Sequence, residues 1–353
     1  MNQREYLQLL PKTELHCHFV STMAAAHLIA LADREGVALP TTDPETLFEY
    51  EDLADFLVAF RAATEVLTTA ADLEKVAYDG VRAAVADGAL RYREYAINPQ
   101  YFAPKGFGYR QLMEPVISGL RAAEADLGVG FRIVVGINRR ESAAAAVELV
   151  HTMIDNPFPE VVALGQDDLT PELTEDPARF ASAYELARQA GLKTTAHAGE
   201  RPVDGPENVR IAMDVLKVDR IDHGYMVVDD ADLTARARDA QTPFACTPVS
   251  TTICSGWPLN PEHRIARMVA AGLNVSFSTD DAVFFRTSLA REFQEALPSL
   301  GLSIEDARRI TLAGVTGAFC DDDTKAGMLA RFRGEILSLD AALGPPVPRD
   351  LRT

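Results

Sequence analysis

A chain of 353 residues, 47% hydrophobic and 24% charged, can bury a large core, and its length suits one α/β barrel of about 250 residues plus insertions. The formal net charge of −18 argues against binding the phosphate backbone of nucleic acid, which needs a lysine and arginine surplus. No run of about 18 apolar residues offers a membrane span, the start Met1-Asn2-Gln3-Arg4-Glu5 lacks the regions of a signal peptide, and four cysteines without a C-x-x-C pair favour reduced thiols in a cytoplasmic protein.

The first strand-like stretch is Thr13-Glu14-Leu15-His16-Cys17-His18. Histidines at i and i+2 lie far apart around a helix but share one face of a strand, so His16 and His18 can hold one divalent cation between them. Taken alone, the pair reads equally well as two unrelated polar residues. Cys17 faces the opposite way on a strand and is expected to be a buried thiol in the wall. About 70 residues then precede the second strand, far more than one crossover helix requires. Within this insertion, residues 19–88, the spacing of Leu53, Phe56, Leu57 and Phe60 at i, i+3, i+4 and i+7 predicts an amphipathic helix. Its stripe either packs on the barrel or caps the barrel mouth, with Phe56 or Leu57 touching substrate.

Further strands are predicted at 89–97, 131–137, 161–165, 192–197, 219–223, 243–247 and 274–280. Helical patterns lie between them at 72–87, 109–126, 141–154, 177–190, 207–217 and 261–271. Asp176-Pro177 is a helix-start signal, and Gly88, Gly191 and Gly272 are stop signals. Eight strands alternating with helices predict an α/β fold, a (β/α)8 TIM-type barrel with a helical cap between strands 1 and 2, as a single domain over 1–353. An open doubly wound sheet is the alternative, but no G-x-G-x-x-G or P-loop follows the first strand.

In such a barrel the active site sits at the C-terminal ends of the strands. Strand one ends in His16 and His18, the fifth in His197-Ala198-Gly199-Glu200, the sixth in Asp222-His223-Gly224 and the eighth in Thr279-Asp280-Asp281. Three histidines and a carboxylate form a donor set suited to zinc with a position left for water, whose pKa a bound cation lowers from about 16 to about 7. Each residue has a plainer alternative, since an aspartate after a strand is often a helix cap and a histidine before glycine a turn residue. His27, His151 and His263 fall in helical stretches and read as surface or capping residues.

Pro11-Lys12-Thr13-Glu14-Leu15-His16-Cys17-His18, Thr195-Ala196-His197-Ala198-Gly199-Glu200, Arg220-Ile221-Asp222-His223-Gly224 and Ser278-Thr279-Asp280-Asp281 together resemble the adenosine deaminase family of metal-dependent amidohydrolases. The resemblance implies one zinc ion per chain held by His16, His18, His197 and Asp280. It implies Glu200 as the proton shuttle to purine N1, His223 as the group orienting the attacking hydroxide, and Asp281 as the partner of N7. The implied reaction is attack at C6 with loss of ammonia from a small aminopurine or nucleoside. The H-x-E and P-C-x-x-C signature of nucleic-acid-editing zinc deaminases is absent.

The substrate-reading positions depart from the family. His18-Phe19-Val20-Ser21-Thr22 replaces His-Leu-Asp-Gly-Ser/Thr, so Val20 stands where the family aspartate binds the ribose 5′-hydroxyl. A buried sugar hydroxyl opposite it would remain unpaired, at about 1–3 kcal/mol. Asp168 falls near the family glycine whose backbone N–H binds N3. Its own N–H could still donate, but its carboxylate brought near N3 would repel an acceptor. Pro248-Val249-Ser250-Thr251 replaces Pro-Thr-Ser-Asn, and Ala282 replaces the proline after the paired aspartates. These changes predict a hydrolytic deaminase whose preferred substrate is not plain adenosine but a free aminopurine, a modified nucleoside or another amino-heterocycle. The competing readings are a hydrolase opening an amide or lactam, and a non-catalytic ligand-binding barrel. The oligomeric state is not legible in the sequence.

Overall fold

Eight strands hydrogen-bond side by side in sequence order: β1 Lys12–His18, β2 Leu90–Ile97, β3 Gly130–Asn138, β4 Val161–Asp167, β5 Lys193–Ala198, β6 Arg220–His223, β7 Pro243–Cys246 and β8 Asn274–Phe277. Each neighbouring pair from β1–β2 to β7–β8 is parallel. The ring closes just past β8, where Cys17 pairs with Asp280: His18 N–H donates to Asp280 O at 3.0 Å and Asp280 N–H to His16 O at 3.1 Å. This computed structural model describes residues 1–50 and 53–343, and it has the expected (β/α)8 architecture. Residues 51, 52 and 344–353 of the expected single domain, and the side chain of Leu53 in the predicted stripe, lie outside what is described.

All eight predicted strands form, with shifted ends. β4 runs two residues past the expected 165, because Gln166 and Asp167 continue the ladder against Ile137 and Asn138. β8 stops three residues short of the expected 280, because its ladder with β7 ends at Cys246–Phe277 and the chain then turns toward β1. The helix expected over 177–190 begins as a 3-10 turn, Pro177–Phe180, before helix Ala181–Gln189. Pro177 sits in its first turn, but Asp176 makes no side-chain cap, because its backbone is left-handed at φ 39°. The pattern at 261–271 starts later, at Arg264, because His263 is the N-cap and accepts from Ile265 N–H at 3.1 Å. His263 is therefore a capping residue but a buried one.

Gly88 ends helix Ala70–Gly88, yet the left-handed residue is Ala89, at φ 56°. The space at 88 is tight: a Cβ there would lie 3.0 Å from the backbone nitrogen of Ala290. Gly191 and Gly272 take the expected left-handed stop conformation. Cys17 is buried in the hydrophobic core, and all four cysteines are free.

The long β1–β2 connection contains a 3-10 turn, Val20–Thr22, and helices Ala25–Glu35, Leu53–Glu65 and Ala70–Gly88. Helix Leu53–Glu65 lies against the segment after β8, with the Phe56 and Phe285 ring centroids 4.6 Å apart and those of Phe60 and Phe284 6.3 Å apart. Its apolar stripe therefore packs on the barrel and covers the mouth at the same time. Among the described residues, no helix is long and apolar enough to cross a membrane.

Candidate active site

The period of two in β1 sends His16 and His18 to one face, and the β5 and β8 ends deliver His197 and Asp280 to the same point. His16 Nε2 lies 3.0 Å and His18 Nε2 3.4 Å from Asp280 Oδ1, and His197 Nε2 lies 3.3 Å from His18 Nε2. One donor atom from each of these four buried residues falls within 4.8 Å of all the others. Imidazole nitrogens facing each other at that distance repel unless a proton or cation lies between them, so the donor set fits a divalent metal.

The groups behind the ligands support that fit. Asp222 places Oδ1 3.6 Å from His16 Nδ1 and Oδ2 3.7 Å from His197 Nδ1, while Asp167 Oδ2 lies 3.6 Å from His18 Nδ1. Carboxylates placed behind imidazoles favour the proton on Nδ1 and so leave Nε2 free to face inward. Ser250 Oγ donates to Asp280 Oδ2 at 2.7 Å, leaving Oδ1 for the centre. Burial, reinforced by the imidazoles of His16 and His223, holds His197 well below the usual histidine range and in the neutral, ligating form. Burial raises the Asp222 carboxyl, but His16 and Arg220 outweigh it and hold the group down at about 2.

Glu200, His223 and Asp280 form a second group around the same point, with His223 Nε2 3.9 Å from Glu200 Oε2. His223 Nδ1 lies 3.2 Å from the Tyr225 hydroxyl and 3.4 Å from Thr247 Oγ1, which orients the other nitrogen inward. Burial and the neighbouring His16 hold His223 down at about 3, so the ring is neutral. Burial, with Asp280, Glu175 and Asp204 adding to it, pushes the Glu200 carboxyl up to about 8. Burial also pushes Asp281 up, and its Oδ1 has no hydrogen-bond partner. His223, Asp280 and Asp168 take left-handed backbone at φ 66°, 66° and 63°. Such conformations cost about 1–3 kcal/mol in non-glycine residues and cluster at functional sites.

A cavity opens over these groups, roofed by Phe56, Leu57 and Phe60 and bounded by Glu200, Asp281 and Asp168. The side chain of Asp168 is only 1% exposed. Its Oδ1 accepts from Arg61 Nη2 at 2.7 Å and from Leu169 N–H at 2.6 Å, and its Oδ2 accepts from the Tyr101 hydroxyl at 2.7 Å. The Asp168 carboxylate is thus held by a guanidinium, a phenol and a peptide N–H. Val20 lies apart from the cavity. It is 4% exposed, packed in the hydrophobic core, and not among the residues bounding the cavity.

Several site residues carried no sequence assignment. Asp167 and Asp222 each adjoin a residue that did, and Asp222 shares the inward face of β6 with Arg220, so strand periodicity could have found it. Arg61, Tyr101, Glu175 and Cys254, the last also lining the cavity, had no such signal.

A family profile described as adenosine deaminase matches residues 11–333. An adenine deaminase of Rhizobium rhizogenes is 31% identical over 326 residues, spanning 92% of this chain and 99% of that protein. A zinc-bound amidohydrolase crystal structure from Burkholderia ambifaria superposes with a TM-score of 0.89 at 32% identity, covering 96% of this chain and 94% of the other. The crystal structure of an adenine deaminase from Arthrobacter aurescens gives a TM-score of 0.85 at 28% identity, covering 93% and 99%. With the single zinc site that His16, His18, His197 and Asp280 form at the strand ends, the chain belongs to the adenosine deaminase family, as a zinc-dependent hydrolytic deaminase acting on a purine-like ring.

Proposed function

We infer that the substrate is a free 6-aminopurine, adenine itself, converted with one water into the 6-oxopurine and ammonia. The observation that carries this reading is the cavity roof. Phe56, Leu57 and Phe60 line the cavity with apolar surface that offers the hydroxyls of a sugar on N9 no hydrogen-bond partner. Each ribose hydroxyl placed against such a wall would forfeit its hydrogen bonds, at about 1–3 kcal/mol apiece. Support also comes from the similar proteins of Rhizobium rhizogenes and Arthrobacter aurescens, both adenine deaminases.

Zinc bound at the four ligands supplies the Lewis acidity that makes water acidic near neutral pH. Glu200, whose carboxyl burial pushes up to about 8, donates its proton to ring N1, then takes a proton from the oxygen that has added at C6 and passes it to the leaving nitrogen, which departs as ammonia. Neutral His223, held through Nδ1 by Tyr225 and Thr247, orients the oxygen nucleophile with Nε2. Asp281, protonated because burial raises it, presents an O–H to N7. The backbone N–H of Asp168 serves N3, its carboxylate being occupied by Arg61 and Tyr101.

An ammonia-release assay on adenine, 9-methyladenine and adenosine tests the reading. Adenine should exceed adenosine in kcat/KM by at least about a hundredfold; adenosine turned over as fast as adenine would sink it. Two variants probe residues behind the cavity. Arg61→Ala strips the Asp168 carboxylate of its cation and unties the cap, so KM for adenine should rise about tenfold, with a smaller change in kcat. Val20→Asp places a carboxylate in the core and should lower stability by at least about 2 kcal/mol, read as a fall in Tm. Wild-type Tm together with faster adenosine turnover would instead put residue 20 at a sugar site.

A further inference from the structure

We propose that Glu175 is a positioning residue for Glu200, acting through the peptide backbone rather than on the substrate. The proposal rests on the reading that Glu200 moves the proton. Glu175 lies in the loop after β4, 1% exposed, between two residues held in left-handed conformation nearby, Leu173 at φ 60° and Asp176 at φ 39°. Its Oε2 accepts from Gly199 N–H at 2.7 Å and from Asn208 Nδ2 at 2.7 Å, and its Oε1 accepts from Glu200 N–H at 3.0 Å. A single buried carboxylate therefore grips two successive peptide N–H groups of the segment that leaves β5.

The rest of that segment is pinned from other directions. Met226 N–H donates to Gly199 O at 3.2 Å, and Ser255 Oγ donates to Glu200 O at 2.8 Å. Gly199 itself is left-handed at φ 66°, and a Cβ there would come within 2.6 Å of Val209 Cγ2. The Glu200 backbone is thus fixed on both sides of its Cα while its side chain enters the cavity beside His223. Burial and Asp204 oppose the charge on Glu175, whereas Arg139 and the two peptide N–H groups favour it. Removing the grip frees the turn to rotate and carries the Glu200 carboxyl away from the reacting ring. A displacement of about 1 Å at a proton-transferring group costs about a hundredfold in rate.

The test uses full-length protein purified with zinc and adenine as substrate. Glu175→Gln replaces one acceptor oxygen with an NH2 that must face a peptide N–H. It should lower kcat about a hundredfold, leave KM within about threefold, and leave zinc stoichiometry unchanged. Glu175→Asp, which keeps the charge, should recover part of that loss. In a Glu200→Gln background the same Glu175→Gln change should cost less than about threefold more, because the group it positions is already gone. Asn208→Ala, a milder change, should lower kcat a fewfold at unchanged KM; it keeps the proposal testable if Glu175→Gln does not fold. Wild-type kcat in Glu175→Gln, in Glu175→Asp together with Asn208→Ala, or an equal loss in both backgrounds, overturns the positioning role while leaving the deaminase reading intact. Full turnover by Glu200→Gln alone, or none by the wild type, overturns that reading and this inference with it.

Discussion

Glu200→Gln is expected to retain about one zinc per chain and to lose about 10²–10⁴-fold in kcat, the usual contribution of a positioned general acid–base group. Glutamine is nearly isosteric and still offers N–H to ring N1, but it cannot give up a proton or take one back. Glu200 is not among the four grouped ligands His16, His18, His197 and Asp280, so the metal has no reason to leave with it. The same variant carries a stability signature in metal-free protein. The Glu200 carboxyl titrates at about 8 when folded, above its ordinary value of about 4.3, so between those two pH values the folded state holds a proton that the unfolded state releases. Its contribution is therefore fully present below about pH 4.3 and is lost as pH rises toward 8. Glutamine removes that dependence, and the Tm of the chelated variant at pH 7.5 should equal or exceed that of the wild type. Turnover within tenfold of wild type would mean that another group moves the proton.

The parts of this molecule legible in the sequence are those whose geometry repeats locally. The inward face of β1 follows from a period of two, so His16 and His18 could be paired before any fold was known. The barrel rule then gathers His197, Glu200, His223 and Asp280 at one end, because each closes a strand-like run. What could not be read depends on chain segments meeting across the fold. Arg61 reaches Asp168 over 107 positions of sequence, and Asp222 serves both His16 and His197 only because β6 lies beside β5 in a closed ring. Val20 is a case where local pattern says little: the family motif sets it at the position of a sugar-binding aspartate, and only the fold shows that the 3-10 turn Val20–Thr22 packs it in the core. Strand ends were misplaced for a related reason, since β4 and β8 stop where the neighbouring ladder stops and not where their own composition changes.

Asp280→Ala should fail differently from Glu200→Gln, losing the metal and the reaction together. Asp280 is the one carboxylate among the four grouped ligands, and its Oδ1 lies within 3.4 Å of both β1 histidine Nε2 atoms. Groups that merely orient a metal's ligands are worth about 10–100-fold in affinity, so loss of a ligand that also carries charge should weaken zinc binding by at least about a hundredfold. A second effect must be separated from the first. Residue 280 is left-handed at φ 66°, a conformation that costs alanine more than aspartate or asparagine, so the alanine variant also carries added backbone strain. Asp280→Asn removes the charge without that strain and keeps an oxygen for the Ser250 hydroxyl. Both variants should release zinc to a competing chelator at concentrations the wild type withstands, and only the alanine variant should show a further fall in Tm. Equal zinc retention by wild type and both variants would remove Asp280 from the ligand set and leave three histidines to hold the ion.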